Sequence, residues 1–117
     1  MKRGELWWAS LGEHRPLEQT GRRPVIIWQS DSLTRVLQSV LVIPLTTNTQ
    51  RAHLAGTAVI EASGAGPSQD SVALAFQLRA IPKTALTARI RSLTDSEIAE
   101  VELSVDEALG RLEPETL

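Results

Sequence analysis

The chain has no cysteine and no tyrosine, one phenylalanine and two histidines in 117 residues. Without Cys, disulfides, a thiolate nucleophile and cysteine-ligated metals are excluded. With no Tyr and one Phe, it lacks the aromatic surface that a proline-rich peptide groove needs. His14 and His53 are too far apart in sequence to suggest a joint metal-ligand pattern. His14, in a loop, has an ordinary pKa of about 6.5 suited to proton transfer, although a surface role is the plainer reading. His53 opens an expected strand and reads as structural. No apolar run approaches the ~18 residues that cross a membrane. Met1-Lys2-Arg3-Gly4-Glu5 lacks the apolar stretch of a secretory signal. A soluble cytoplasmic protein is the expectation. Neither a phosphate-binding P-loop nor a Gly-x-Ser-x-Gly elbow occurs. The carboxylates before the C-terminal segment are scattered and suggest no glycosidase pair.

What is present is unevenly charged. The formal net charge is −2. Residues 1–93 carry eleven Lys/Arg against six Asp/Glu, whereas residues 94–117 carry Arg111 against eight acids. A basic body joined to an acidic tail can attract nucleic acid despite an overall acidic balance. Ordinary solvated surface charge is the plainer alternative. The length suits one domain over residues 1–117 with its own core.

The pattern is mostly β. Glu5–Leu11 reads as a strand holding Trp7 and Trp8. Side chains alternate across a strand, so the two indoles face opposite ways, one inward and one toward an interface or ligand. Leu11–Arg22 reads as a loop and Arg23–Ser30 as the second strand. Val40–Leu45 is a continuous apolar run, as in a strand buried on both faces, with Pro44 marking an edge or bulge. The polar run Thr46–Gln50 follows as a loop. His53–Ile60, Ser71–Leu78 and Leu86–Ile90 read as further strands, with a turn at Ser63–Ser68.

The chain closes with a helix over about 95–112. Thr94-Asp95-Ser96-Glu97 fits a capping box, and early acids suit the helix dipole. Ile98, Val101, Val105, Leu109 and Leu112 recur at spacings of three and four and form one apolar stripe. Strands followed by one packed helix suggest a compact β-barrel or small sheet with a C-terminal helix.

The segment Glu18-Gln19-Thr20-Gly21-Arg22-Arg23-Pro24 then stands out. A charged, Gly-containing turn runs straight into an apolar strand. Pro24 fixes the backbone beside Arg23. A permanently charged guanidinium on a rigid strand base is an anion clamp. Metal-free phosphate chemistry is open to such a site, because RNA carries its own nucleophile, the 2′-hydroxyl. The protein then needs to align atoms, move protons and stabilise phosphoryl charge.

These residues resemble a known family. Lys2 through Leu11 is similar to the opening of the MazF/PemK-type toxins of bacterial type II toxin–antitoxin systems. The stretch from Glu18-Gln19 through Gly21 and Arg23-Pro24 to Asp31 resembles their signature segment. Val42-Ile43-Pro44-Leu45-Thr46 resembles their third strand. Asp70–Leu74, Gln77, Arg79, Ile81, Leu86, Ile90, Leu93 and the closing helix follow in the family's order. The resemblance spans nearly the whole chain.

The resemblance implies a small SH3-like β-barrel with a C-terminal helix, a homodimer, and no cofactor or metal. It implies a sequence-specific endoribonuclease acting on single-stranded RNA, chiefly mRNA. The products would carry a 2′,3′-cyclic phosphate and a 5′-hydroxyl. A MazE-like antitoxin would neutralise it. The family's catalytic Arg and Thr fall on Arg23 and Thr46. Arg23 would clamp phosphate and stabilise the transition state, because a permanently protonated guanidinium is a poor free base. Thr46 would hold or protonate a phosphoryl or leaving oxygen. Glu18, Gln19, Ser30, Thr47, Asn48 and Gln77 offer groups that can read base edges. Phe76 stands where relatives often carry an acid, and can only stack or pack. The plainer readings are an ion pair of Arg23 with Glu18 or Asp31, and a turn-capping role for Thr46.

Two other classes share this fold. A CcdB-like toxin binds DNA gyrase without catalysis, through a C-terminal helix and an end containing Trp. This chain ends Arg111-Leu112-Glu113-Pro114-Glu115-Thr116-Leu117, without Trp. A non-catalytic SH3-like binding module would need more aromatics.

Overall fold

A computed structural model of the chain describes residues 1–12, 20–52, 54–63 and 67–113. Seven strands and two α-helices are seen among them: β1 Glu5–Ser10, β2 Arg22–Ile27, α1 Asp31–Val36, β3 Ser39–Thr46, β4 Thr57–Ile60, β5 Ser71–Leu74, β6 Arg79–Pro82, β7 Leu86–Ser92 and α2 Asp95–Ala108. The strands pair in the order β4-β5-β3-β2-β1-β7, and β6 also pairs with β3. This mainly β architecture with a C-terminal helix agrees with the sequence reading. The path of pairs does not close on itself among the described residues.

Strict alternation explains why the sheet's sequence is apolar without interruption. Leu6, Ile26, Ile43 and Leu45 enter one core cluster, with Val101 and Val105 of α2. Their neighbours Ala9, Val25, Ile27, Val40 and Val42 enter a second cluster on the other face. In the inner parts of β2 and β3 both faces are therefore buried, with Leu41 left exposed.

β3 is the hub. On one side Val42–Pro44 pair with β2. On the other, Ser39–Val42 pair with β6, and Leu45 and Thr46 pair with β5. Pro44 stands where β3 leaves β6 for β5. Its missing N–H falls at that break in the ladder, which accounts for a proline in a buried strand.

Several boundaries differ from the sequence reading. β2 ends at Ile27, not Ser30, because Ser30 caps α1 by accepting from the Leu33 N–H. The helix is short, and Leu33 and Val36 are exposed, so it offers no apolar stripe to detect. It is held by polar contacts. The buried Gln29 Nε2 donates to Thr34 Oγ1 and to the Ser39 carbonyl, each at 3.2 Å, and Lys83 Nζ donates to the Thr34 carbonyl. β4 begins at Thr57, and His53 lies outside the described residues. The expected strand Ser71–Leu78 breaks at Leu74 into the 3₁₀ turn Ala75–Gln77, and β6 follows as a separate strand.

The closing helix has its expected start. The Glu97 N–H donates to Thr94 Oγ1 at 3.2 Å, and the Thr94 N–H donates to Glu97 Oε1 at 2.9 Å. Its end is earlier than the apolar spacing suggests. Gly110 adopts φ 75°, the left-handed stop that side chains disfavour. Leu109 and Leu112, expected in the stripe, are therefore 61% and 43% exposed.

Candidate active site

The first turn of chemistry lies where strands end. Arg22 and Arg23 open β2, Thr46 closes β3, and Ser71 opens β5. A cavity of about 220 Å³ sits there, lined by Trp8, Pro24 and Leu45, by Arg22, Arg23, Thr46 and Thr47, and by Pro67, Ser68, Gln69 and Ser71. Its lining mixes apolar side chains with hydroxyls and guanidinium groups.

The β2–β3 register accounts for the central pair. Val25 faces Pro44, Ile26 faces Ile43 and Ile27 faces Val42. Continued two steps past Val25 and Pro44, this register sets Arg23 opposite Thr46. Both also fall on the face that carries Val25 and Val42. Cross-strand partners of this kind lie within reach of one another or of a shared ligand.

Each side chain is held from behind. Arg23 Nε donates to the Thr20 carbonyl at 2.9 Å. That bond fixes the ε edge of the guanidinium, and the terminal nitrogens keep their donors. Thr46 is only 8% exposed, and its Oγ1 accepts the Asn48 N–H at 3.2 Å. Of the two ion-pair partners considered for Arg23, Asp31 lies beyond the far end of β2, where it accepts the Arg3 N–H at 2.8 Å. Glu18 lies outside the described residues.

A backbone clasp closes the neck of the β1–β2 loop beside the cavity. The Leu11 N–H donates to the Gly21 carbonyl at 2.8 Å, and the Gly21 N–H donates to the Gly12 carbonyl at 2.9 Å. Gly12 and Gly21 both take positive φ, at 82° and 77°, which allows so tight a clasp.

The cavity brings together Arg23, Thr46 and Thr47 among the residues singled out from sequence. Asn48 adjoins it through its bond to Thr46, and its Oδ1 accepts the Gln50 N–H at 3.2 Å. Glu18 and Gln19 lie outside the described residues. Ser30 sits at the opposite end of β2 as a helix cap. Phe76 and Gln77 lie in the 3₁₀ turn under α2 and do not line the cavity. Phe76 is 46% exposed, near Gly56.

The PemK-like, MazF-like toxins of type II toxin–antitoxin systems match residues 2–109 of this chain. The chain belongs to this family. Among its relatives, Endoribonuclease EndoA of Bacillus subtilis is 38% identical over 109 residues, covering 93% of this chain and 90% of the relative. Endoribonuclease MazF of Staphylococcus saprophyticus is 33% identical over 110 residues, covering 94% and 92%. A solved mycobacterial endoribonuclease, in complex with its cognate antitoxin, shares the fold with a TM-score of 0.77 at 21% identity, covering 97% of this chain and 99% of that one.

In this PemK/MazF-like chain, the cavity also has walls that sequence reasoning did not select. Trp8 had been one of two indoles with a choice of faces. Trp7 packs on the second core cluster, and Trp8 lines the cavity. Arg22 was visible only as the neighbour of Arg23. Its Cζ lies over the Trp8 ring, 4.2 Å from the centroid. Pro67, Ser68, Gln69 and Ser71 had no local signal. A Gly-rich turn announces a reversal, not the strand ends it will meet.

Proposed function

We propose that the chain is an endoribonuclease toxin that cuts single-stranded RNA, chiefly mRNA, at short sequences. The observation that carries this reading is that Arg23 and Thr46 meet in one cavity at adjacent strand ends. The named activity of its 38% identical relative EndoA supports it. In the proposed reaction the RNA 2′-oxygen attacks the neighbouring phosphorus, and the bond from phosphorus to the 5′-oxygen breaks. The 2′-proton is lost and the departing 5′-oxygen gains one. A 2′,3′-cyclic phosphate and a 5′-hydroxyl remain. Arg23 stabilises the charge on the phosphoryl oxygens with its terminal N–H groups. Thr46 donates its hydroxyl proton toward a phosphoryl or leaving oxygen. No metal or cofactor is assigned a role.

Thr47, which lines the cavity, and Asn48, which bonds to Thr46, would read a base beside the pair, and Glu18 and Gln19 are proposed to contribute as well. Ser30, Phe76 and Gln77 would need RNA to extend well beyond the cavity. The chain is proposed to act as one toxin domain over residues 1–117, with its sheet rolled in the manner of an SH3-like barrel. It would work in the cytoplasm as a homodimer and be neutralised by a MazE-like antitoxin, as the antitoxin-bound mycobacterial structure suggests. Among the described residues no helix is long and apolar enough to cross a membrane.

The test is cleavage of a long single-stranded RNA in EDTA, with end mapping. Cutting should leave cyclic-phosphate ends and disappear in Arg23→Ala and Thr46→Ala. Activity lost to EDTA, or intact in both variants, overturns the mechanism.

A further inference from the structure

The cavity holds more than the pair that handles phosphate. Its accessible apolar lining is Trp8 and Pro24, which are partly buried, whereas Leu45 and Pro67 are almost fully buried. Phosphate is strongly hydrated and gains nothing from such a lining, whereas a nucleobase has two π faces to bury. Strand alternation separates the two functions. Trp8 pairs with Pro24, and Arg22 falls on the same face two residues away. Arg23 and Thr46 belong to the opposite face and reach the cavity at the strand ends.

Arg22 lies over the Trp8 ring with Cζ 4.2 Å from its centroid. Cation–π attraction holds the guanidinium there. Arg22 is exposed as a residue and lines the cavity, where its guanidinium can meet a ligand. A planar guanidinium is a recognised stacking surface for an unpaired base. No carboxylate among the described residues forms a salt bridge with Arg22 that would compete for it.

We infer that Arg22, braced on Trp8, is a stacking platform for the base of a nucleotide adjoining the cleaved bond. This inference rests on the ribonuclease reading and adds a binding subsite to it. The Trp8 ring sets the plane of the guanidinium, and the base lies on the outer side. The nucleotide is thereby held while its phosphate lies against Arg23 and Thr46. Trp8 is a positioning residue, since it acts through Arg22. Because every base has a π face, the platform contributes affinity and alignment more than discrimination. Discrimination falls to hydrogen-bonding groups such as Thr47, Ser68 and Gln69 in the cavity lining.

The experiment first maps the strongest cut in a long single-stranded RNA with the full chain. A short oligonucleotide spanning that cut is then made intact and with an abasic ribonucleotide on either side of the bond. Single-turnover cleavage is measured for the native chain, Arg22→Lys and Trp8→Leu. Arg22→Lys keeps the charge and removes the plane, and thermal melting checks that both variants fold. The platform predicts a loss of roughly 5- to 100-fold for Arg22→Lys, the range of one base-stacking contact. It predicts a similar loss when the abasic site falls at one particular flank in the native chain. The two losses should not compound, because the variant has no stack left to lose. Native rates in Arg22→Lys, or an abasic penalty as large in the variant as in the native chain, overturn the platform and leave the ribonuclease reading standing. Failure of the native chain to cut any RNA overturns that reading instead. Should Trp8→Leu not fold, the Arg22→Lys and abasic arms decide alone.

Discussion

The Asn48 N–H binds Thr46 Oγ1 at 3.2 Å, and this bond limits what the hydroxyl can do. An oxygen already accepting from the backbone has its own proton to give away. One lone pair of Thr46 is thus taken by the backbone, and its proton stays available toward the cavity that it lines with Arg23.

Thr46→Ser should therefore keep most activity, because the hydroxyl and its backbone partner survive. Thr46→Val is nearly the same shape and should lose roughly 10²- to 10³-fold in kcat, the usual cost of one transition-state donor. Single-turnover cleavage of one RNA by both variants checks this. Equal rates for Ser and Val would place Thr46 outside the chemistry.

Arg23→Lys should fall nearly as far as Arg23→Ala. A lysine keeps the charge but cannot hold the Thr20 carbonyl with one edge while presenting two terminal nitrogens to phosphate. Cleavage rates with melting curves for both variants test the claim. Full rescue by Lys would show that charge alone suffices.

Acid should weaken the anchorage of α2. Burial alone would push the Glu97 carboxyl up, but hydrogen bonds from Arg91 and from the Thr94 N–H outweigh it and hold the group below its ordinary 4.5. Arg91 grips both Glu97 oxygens, at 2.8 and 3.0 Å. Glu5 behaves alike, its burial outweighed by bonds from Arg89, Trp7 and the Lys2 N–H. A carboxylate with a lowered folded pKa stabilises the fold above its unfolded value. That contribution is lost as pH falls below about 4.5 and through the folded pKa. Thermal melts from pH 7 to pH 3 should drop steeply in the acid range for the native chain. Glu97→Gln should be less stable at neutral pH and show a shallower acid drop. Parallel curves would refute the linkage.

Thr94→Ala should cost about 1 kcal/mol by removing half of the capping box, or roughly 4 °C in Tm. Leu109→Ser should stay within about 0.5 kcal/mol, since Leu109 is largely in water. A large loss for Leu109→Ser would mean that the helix continues past Gly110.

Gly4→Ala should cost about 1–2 kcal/mol. Gly4 has φ 89°, and an added Cβ would come 3.1 Å from Ile98 Cδ1 of α2. Denaturant titration measures the loss, and the cost should shrink in an Ile98→Val background.

The legible parts of the fold were those encoded locally. The capping box around Thr94 and Glu97 and the apolar run Val40–Leu45 are short-range patterns with one physical outcome. What stayed hidden was relational. α1 depends on Gln29, Lys83 and a serine cap, not on an apolar stripe. The extra length predicted for α2 followed Leu109 and Leu112 and overlooked the stop at Gly110. Arg23 and Thr46 were found through family likeness. Their juxtaposition follows from a strand register that no single segment carries. Ser68 and Gln69 reach the cavity only because β5 pairs with the end of β3.

The clasp formed by Leu11, Gly12 and Gly21 uncouples the strand that carries Arg23 from the length of chain between the two glycines. Whatever chain runs between Gly12 and Gly21, its ends leave and return at one fixed gate, and Arg23 follows two residues later on an anchored strand. Doubling the length of such a loop costs only about 0.6 kcal/mol in closure entropy. A longer or shorter segment between Gly12 and Gly21 should therefore leave the strand base at Arg23 in place.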